Sequence, residues 1–309
     1  MHILKGYTKQ EISWMMYDWA NSAHSVIIVT LLPIFFDTVA GYTADSVSSM
    51  STWGYATSIA MLIVALAAPF LGVFGDIRGM RKKLFSFFML LGVAACAGMA
   101  FTPGMDFTSG PVAAGKVASL ILVLYIVSVI GFDASAIYYD AFLTDVTTED
   151  RMDKVSTMGY GLGYIGGSTI PLLIFLIMNL VGVPMLTCLA FVFGLTAVWW
   201  LAFSLPLLKN CEQTSGKPYE KGDVARSIKG VGTTIKEIIA NKPMLIYILS
   251  YFFYIDGVHT VISMATTYGT NLGLDSTGMM LALLLVQILG LPFCLLYIKC
   301  SEKFGARTM

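Results

Sequence analysis

The chain has 309 residues, of which 57% are hydrophobic and only 12% are charged, about half the charged share of an ordinary soluble domain. Its formal net charge is zero, and its three histidines and five cysteines show no metal-ligand or redox spacing. This composition excludes a soluble globular domain and indicates no nucleic-acid partner, no cofactor and no metal site. It predicts an all-α, polytopic membrane protein.

Eight apolar stretches are each long enough to cross about 30 Å of hydrocarbon. They cover residues 14–37, 51–74, 84–102, 117–141, 155–179, 183–207, 243–268 and 277–298. We expect the first stretch to be retained, since it is too long for a secretory signal and lacks a small-residue cleavage site. The spans divide the chain into a six-helix N-terminal bundle at 1–208, a linker at 209–242 with a segment suited to a surface helix, and two further helices at 243–309.

Basic residues indicate the sidedness of these spans. If the N-terminus is inside, 18 of the 19 Lys and Arg residues fall on the inner side, and Lys116 is the exception. Cytoplasmic loops collect positive charge. We therefore expect both ends of this chain to be cytoplasmic, in the cytoplasmic membrane of a bacterium.

The first span carries a polar stripe within the segment "MMYDWANSAHS". Asp18, Asn21, Ser22 and Ser25 have the i, i+3, i+4, i+7 spacing of one helix face. A carboxylate facing lipid is costly, so this face is expected to look onto water or protein. Either the stripe lines a translocation cavity or its residues hold helices together. His24 lies off the stripe, which favours a packing role.

Charged and polar residues recur in two later spans. The fourth span holds Asp133 at depth and Asp140 nearer its inner end, which makes Asp133 a candidate for proton coupling and Asp140 a candidate gate contact. The seventh span repeats the stripe of the first as Asp256, His259, Thr260 and Ser263. In transporters built from repeats, substrate sites lie at the repeat interface. The two stripes therefore predict one shared cavity.

A basic loop follows the second span with the sequence "GVFGDIRGMRKK", residues 72–83. It resembles the loop motif between the second and third helices of the major facilitator superfamily, and "SEKFGARTM" after the eighth span is a degenerate second copy. More narrowly, "YDWANSA", "YYDAFLTDV" and "GYGLGYIGGS" resemble the vacuole-effluxer-like, autophagy-related permease branch of that superfamily. That branch includes amino-acid effluxers of fungal vacuoles and bacterial permeases.

The resemblance implies twelve spans in two six-helix halves. Because eight are present, we expect a chain truncated after the eighth helix that lacks the remaining second-half helices, with a genuine eight-helix product as the alternative. The resemblance also implies that Asp76 caps a helix of the second half and pairs with a basic residue after span four, for which Arg151 is the candidate. The expected gate residues on the inner side are Gly72, Asp76, Gly79, Arg81, Lys82, Asp140 and Arg151.

The function expected from this resemblance is secondary transport of a small solute by alternating access. Amino acids are the implied solute, and protons are a plausible coupling ion. Two other classes stay open, a non-transporting fragment or regulatory membrane protein and, more distantly, an intramembrane enzyme. No nucleophile-elbow, zinc-protease or phosphate-loop motif occurs. The sequence therefore predicts no enzyme and no catalytic residue.

Overall fold

The computed structural model describes residues 4–43, 49–216, 218 and 223–305. Within these ranges the regular structure is entirely helical. Eight of the segments are long and apolar enough to cross a membrane. They coincide with the eight predicted spans, so the prediction of an all-α polytopic membrane protein is confirmed.

Four helices form the first four spans. Helix α1 covers Lys9–Ala40, α2 covers Ser49–Gly75, α3 covers Arg81–Met99 and α4 covers Pro111–Val146. The start of α1 is fixed by a capping box, in which the Glu11 N–H donates to Thr8 Oγ1 at 3.1 Å and the Thr8 N–H donates to Glu11 Oε2 at 2.7 Å. Such a box satisfies backbone donors that have no partner within the helix.

The fifth span is interrupted in its middle. Helix α5 covers Met152–Gly163, a π-helical turn covers Tyr164–Ser168, and α6 covers Thr169–Leu180. A π-turn adds one residue to a helical turn and is often found at functional positions. In this protein the π-turn lies in the glycine-rich stretch. The preceding helix α5 packs between α1 and a helix of the second half.

The remaining helices complete the chain. Helix α7 covers Met185–Asn210, α8 covers Asp223–Ala240, α9 covers Lys242–Asn271 and α10 covers Ser276–Phe304. Helix α8 lies within the predicted linker and packs against α2 and α9. Residues 217 and 219–222 of that linker lie outside the described residues.

Burial divides the described spans into two classes. In the most apolar stretch of α1, 67% of the residues are buried, because α4, α5 and α7 surround it. The large side chains of this core include Trp14, Tyr17, Tyr138 and Trp200. In the corresponding stretch of α9 no residue is buried. The N-terminal half is therefore a packed bundle centred on α1.

Candidate functional site: a polar junction and a charged loop

The carboxylate of Asp18 lies where α1, α4 and α5 meet, and the residue is 7% exposed. The Tyr139 hydroxyl on α4 donates to Asp18 Oδ2 at 2.8 Å. The Tyr139 ring stacks on Trp14, whose indole N–H donates to the Tyr139 carbonyl at 2.8 Å. These contacts fix the Tyr139 ring, and the ring in turn holds the carboxylate in one orientation.

Two further polar pairs continue along the interface between α1 and α4. The hydroxyls of Tyr17 and Ser135 share a hydrogen bond of 2.8 Å, and His24 Nε2 lies 3.2 Å from Ser128 Oγ. His24 is 2% exposed and stacks on Phe132. His24 thus points into the bundle, in the packing role that its position off the stripe favours.

The polar stripe of α1 faces glycines of the fifth span. A Cβ on Gly159 would collide with Asp18 Oδ2, and one on Gly163 would lie 2.5 Å from Ser22 Oγ and 3.1 Å from the Asp18 carbonyl. A Cβ on Gly167 would collide with the Trp19 carbonyl. Small residues let two helix backbones approach closely. Asp18 and Ser22 therefore contribute to helix contact as well as to any cavity.

The other acids and polar residues of the first half differ in how far they are exposed. Asn21 is 8% exposed, whereas Ser22 and Ser25 are half-buried. Asp133 is half-buried, yet its Oδ2 atom is buried and has no hydrogen-bond partner among the described residues. Asp140 is exposed. Of the two acids Asp18 on α1 and Asp140 on α4, Asp18 is therefore the buried one and Asp140 the open one.

The repeated stripe in α9 has a different environment. Asp256, His259 and Thr260 are exposed in the described part of the chain. Thr260 is among the residues that line a mainly apolar cavity of about 570 Å³ between α9 and α10. The side chain of Ser263 lies outside the described residues. Helix α9 contacts both α1 and α2, but the structure does not bury its polar face as it buries that of α1.

The segment between α2 and α3, residues 76–80, forms what we call the charged loop. Gly79 has a φ of +80°, a conformation that favours glycine, and Gly72 has open space around it. Lys82 is half-buried. The Asp76 side chain is 79% exposed and lies 3.9 Å from Arg81. The loop thus presents the Asp76 carboxylate outward.

Arg81, at the start of α3, is buried and makes the central ion pair of this region. It pairs with Asp145 near the end of α4, and it also donates to the Ala141 carbonyl at 3.0 Å. Asp145 Oδ1 additionally accepts bonds from the backbone and hydroxyl groups of Thr214 and Ser215. Charge-assisted bonds of this kind are among the stronger polar contacts in proteins.

Arg151 has a partner other than the expected Asp76. Its Nε donates to Glu11 Oε1 at 2.8 Å and its Nη2 donates to Glu11 Oε2 at 2.9 Å. The Thr147 hydroxyl donates to the same carboxylate at 2.7 Å. Among the described residues, the ion pair of Asp76 is with Arg81. Arg151 therefore joins the end of α4 to the start of α1.

Sequence reasoning missed four residues of this site: Glu11, Tyr139, Asp145 and Gln213. Glu11 could have been identified from the sequence, because Thr8 and Glu11 have the spacing of a capping box before an apolar run. Tyr139 and Asp145 lie within the quoted segment "YYDAFLTDV", but only the packing of α1 and α3 against α4 identifies their partners. Gln213 has no local signal, because its contacts are more than 130 residues away along the chain.

Comparison with known proteins assigns the chain to a family. A family model described as "Vacuole effluxer Atg22 like" matches residues 41–309. The MFS-type transporter YxiO of Bacillus subtilis is 39% identical over 315 residues, an alignment that covers 99% of this chain and 71% of that protein. Autophagy-related protein 22-1 of Penicillium rubens is 26% identical over 166 residues, which are 50% of this chain and 28% of the fungal protein.

Two solved structures share the fold. A D-xylose–proton symporter superposes with a TM-score of 0.59 at 15% identity, over 96% of this chain and 69% of that one. The E. coli xylose transporter in a partially occluded inward-open conformation superposes with a TM-score of 0.56 at 14% identity, over 96% and 73%. At these identities the superpositions carry the helix arrangement and not the solute.

Proposed function

Because this chain belongs to the Atg22-like vacuole-effluxer family of MFS-type transporters, we propose that it moves amino acids across a bacterial membrane by alternating access, with protons as the coupling ion. The family consists of transporters and not enzymes. The chain spans about seven tenths of the bacterial relative and under a third of the fungal ones. Solute, coupling and direction are therefore proposals for a form of the protein that carries a complete second half.

The observation that carries the proposal is the Asp18–Tyr139 pair at the junction of α1, α4 and α5. A transporter needs a polar group that a solute or proton can reach from only one side at a time. Asp18 is nearly closed off, while Asp140, the residue after Tyr139 on α4, is exposed. We propose that Asp18, Asn21, Ser22, Ser25 and Asp133 line the cavity from the first half, and that Asp256, His259, Thr260 and Ser263 line it from the second.

An acidic cavity suits the ammonium group of an amino acid. Lys and Arg residues lie at the ends of the described spans, whereas Asp18 and Asp133 lie within them. Among the described residues, one buried carboxyl oxygen of Asp133 has no hydrogen-bond partner, and a buried unpaired oxygen is costly unless a proton or cation neutralises it. Asp133 is therefore our candidate for the coupling proton.

The experiment is a screen of radiolabelled amino acids in proteoliposomes, in counterflow and under an imposed pH gradient. We expect at least one amino acid to exchange, and we expect Asp133→Asn to abolish accumulation driven by the gradient while counterflow persists. His24→Gln serves as the matched control, because His24 is equally deep but packed into the bundle. If no amino acid moves in a form with a complete second half, the proposed solute is wrong.

Sidedness has its own test, because we propose that both ends of this chain are cytoplasmic. A cysteine at Asp106, in the connection between α3 and α4, should react with an impermeant thiol reagent in intact cells. A cysteine at Glu212, just after α7, should react only after the membrane is opened. Labelling at position 212 in intact cells would reverse the proposed orientation.

A further inference from the structure

The three residues Gln213, Thr214 and Ser215 follow α7 and lie across the ends of three other helices; we call them the strap. We propose that the strap positions the charged loop, so that the linker between the two halves controls how that loop is held. The inference rests on the proposed function for the loop's role in transport. The immobilisation of the loop by the strap can be tested without transport.

Gln213 bonds to both ends of the charged loop through one side-chain amide. Its Oε1 accepts from the Gly79 N–H at 2.9 Å and from the Arg81 N–H at 3.3 Å, and its Nε2 donates to the Gly75 carbonyl at 3.0 Å. The last carbonyls and first N–H groups of a helix have no partner within that helix. Gln213 therefore caps the end of α2 and the start of α3 together.

This remote cap replaces a local one. The residue before α3 is Met80, which supplies no side-chain cap, and Gln213 instead accepts from the Arg81 N–H in the first turn. The carbonyl oxygen and the amino group of a glutamine suit this double role, since one side chain presents an acceptor and two donors. A hydrophobic residue of similar size would leave all three backbone groups without this partner.

Thr214 and Ser215 tie the strap to α4. Both backbone N–H groups, at 3.1 and 2.9 Å, and both hydroxyls, at 2.9 and 2.7 Å, donate to Asp145 Oδ1. Asp145 also pairs with Arg81 of α3, which donates to Ser215 Oγ at 3.3 Å. The strap, the charged loop and α4 thus share one set of charge-assisted bonds.

The chain continues from the strap through the linker to α8. A single residue, Asn241, separates α8 from α9. Helix α8 packs against both α9 and α2, so a displacement of α9 relative to the first bundle can act on α2, whose end the strap caps. When the strap is withdrawn, α3 loses the bond from Gln213, and among the described residues Asp145 keeps its pair with Arg81. The charged loop, which carries Asp76, is then held less firmly.

The first test is hydrogen exchange of the chain in lipid nanodiscs, measured on peptides covering 76–84. Gln213→Leu should speed exchange there about fivefold or more, the effect expected when hydrogen bonds worth about 1 kcal/mol are lost. Gln213→Glu keeps an acceptor for the Gly79 and Arg81 N–H groups but loses the donor to the Gly75 carbonyl, so it should retain part of the protection. The neighbouring exposed residue supplies the control Glu212→Gln. Exchange over α1 reports whether each variant is folded.

The second test measures transport in a form with a complete second half. Gln213→Leu should lower the maximal rate several-fold and leave the apparent KM within about twofold, because the strap contacts the loop and not the cavity. If folded Gln213→Leu shows an unchanged rate of hydrogen exchange at 76–84, the proposed role of the strap is wrong. An unchanged maximal transport rate would contradict it as well. If the unaltered protein moves no solute, the proposed function fails while the exchange comparison still decides the strap.

Discussion

Helices α1 and α9 carry the same polar pattern in two different settings. In α1 the acid of the pattern, Asp18, is 7% exposed and accepts a bond from Tyr139. In α9 the matching Asp256 is exposed, and so are His259 and Thr260. The sequence pattern specifies which face is polar, whereas burial depends on which helices pack against that face.

The two carboxylates differ in the helices that pack around them. Around Asp18, the glycines of the fifth span allow α5 to approach closely, and α4 supplies a fixed hydrogen-bond donor. Near Asp256, an added Cβ on Gly257 would have no atom of the described residues within 4 Å. The junction at α1 therefore holds its carboxylate in a closed, hydrogen-bonded setting, and the stripe of α9 is its more open counterpart.

The largest difference between the two regions should appear on substitution of a single glycine. Gly167→Ala places a methyl group against the backbone carbonyl of Trp19, which cannot move aside as a side chain can. Overpacking of this kind costs about 1–3 kcal/mol. Gly257→Ala, also within a spanning helix, should leave stability unchanged or raise it. Thermal unfolding in detergent checks the pair, and equal losses would mean that the π-helical turn of the fifth span and α1 are not in close contact.

Removing a buried ion pair should lower stability more than removing an exposed one, but by less than the substitution at Gly167. Glu11 is almost fully buried and bonds to Arg151 at two points, whereas Lys154 and Glu302 form an exposed pair between α5 and α10. Glu11→Gln should therefore lower the unfolding temperature clearly, and Glu302→Gln should lower it little, as is usual for exposed pairs. A larger loss in Glu302→Gln would show that the contact of α10 with the first half dominates stability.

The smallest expected effect concerns the pH dependence of transport. His259 of α9 has a side chain that can bind a proton, whereas Asn21, its counterpart in α1, does not. His259→Gln and Asp256→Asn should each reduce transport and flatten its pH profile, because each replaces a side chain that can bind a proton by an amide that cannot. Asp18→Asn should impair transport with less change in the profile. A silent His259→Gln would separate α9 from the proton pathway.

Much of the fold could be predicted from the sequence, because the apolar spans are long and the basic residues lie between them. The polar faces of α1 and α9 also followed from helical spacing alone. Partners across the bundle could not be predicted in this way. Arg151 bonds to Glu11 rather than Asp76, and Asp145 bonds to Arg81, since those choices depend on how the ends of α1, α3 and α4 meet. Spacing along one helix contains no such information.

If the polar stripe of α1 lines the solute pathway, as we propose, a change at Asp18 should impair counterflow in proteoliposomes far more than a change at His24. Asp18→Asn and His24→Gln are compared in a form that carries a complete second half, with the solute that the screen identifies. Both residues are buried in the same helix, but Asp18 faces the junction with α5 and His24 faces α4 and α7. We expect counterflow to fall at least tenfold in Asp18→Asn, a rise of about 1.4 kcal/mol or more in the transport barrier, and to stay within twofold in His24→Gln. Full counterflow in Asp18→Asn with loss in His24→Gln would contradict the account and leave the stripe as a helix-packing contact.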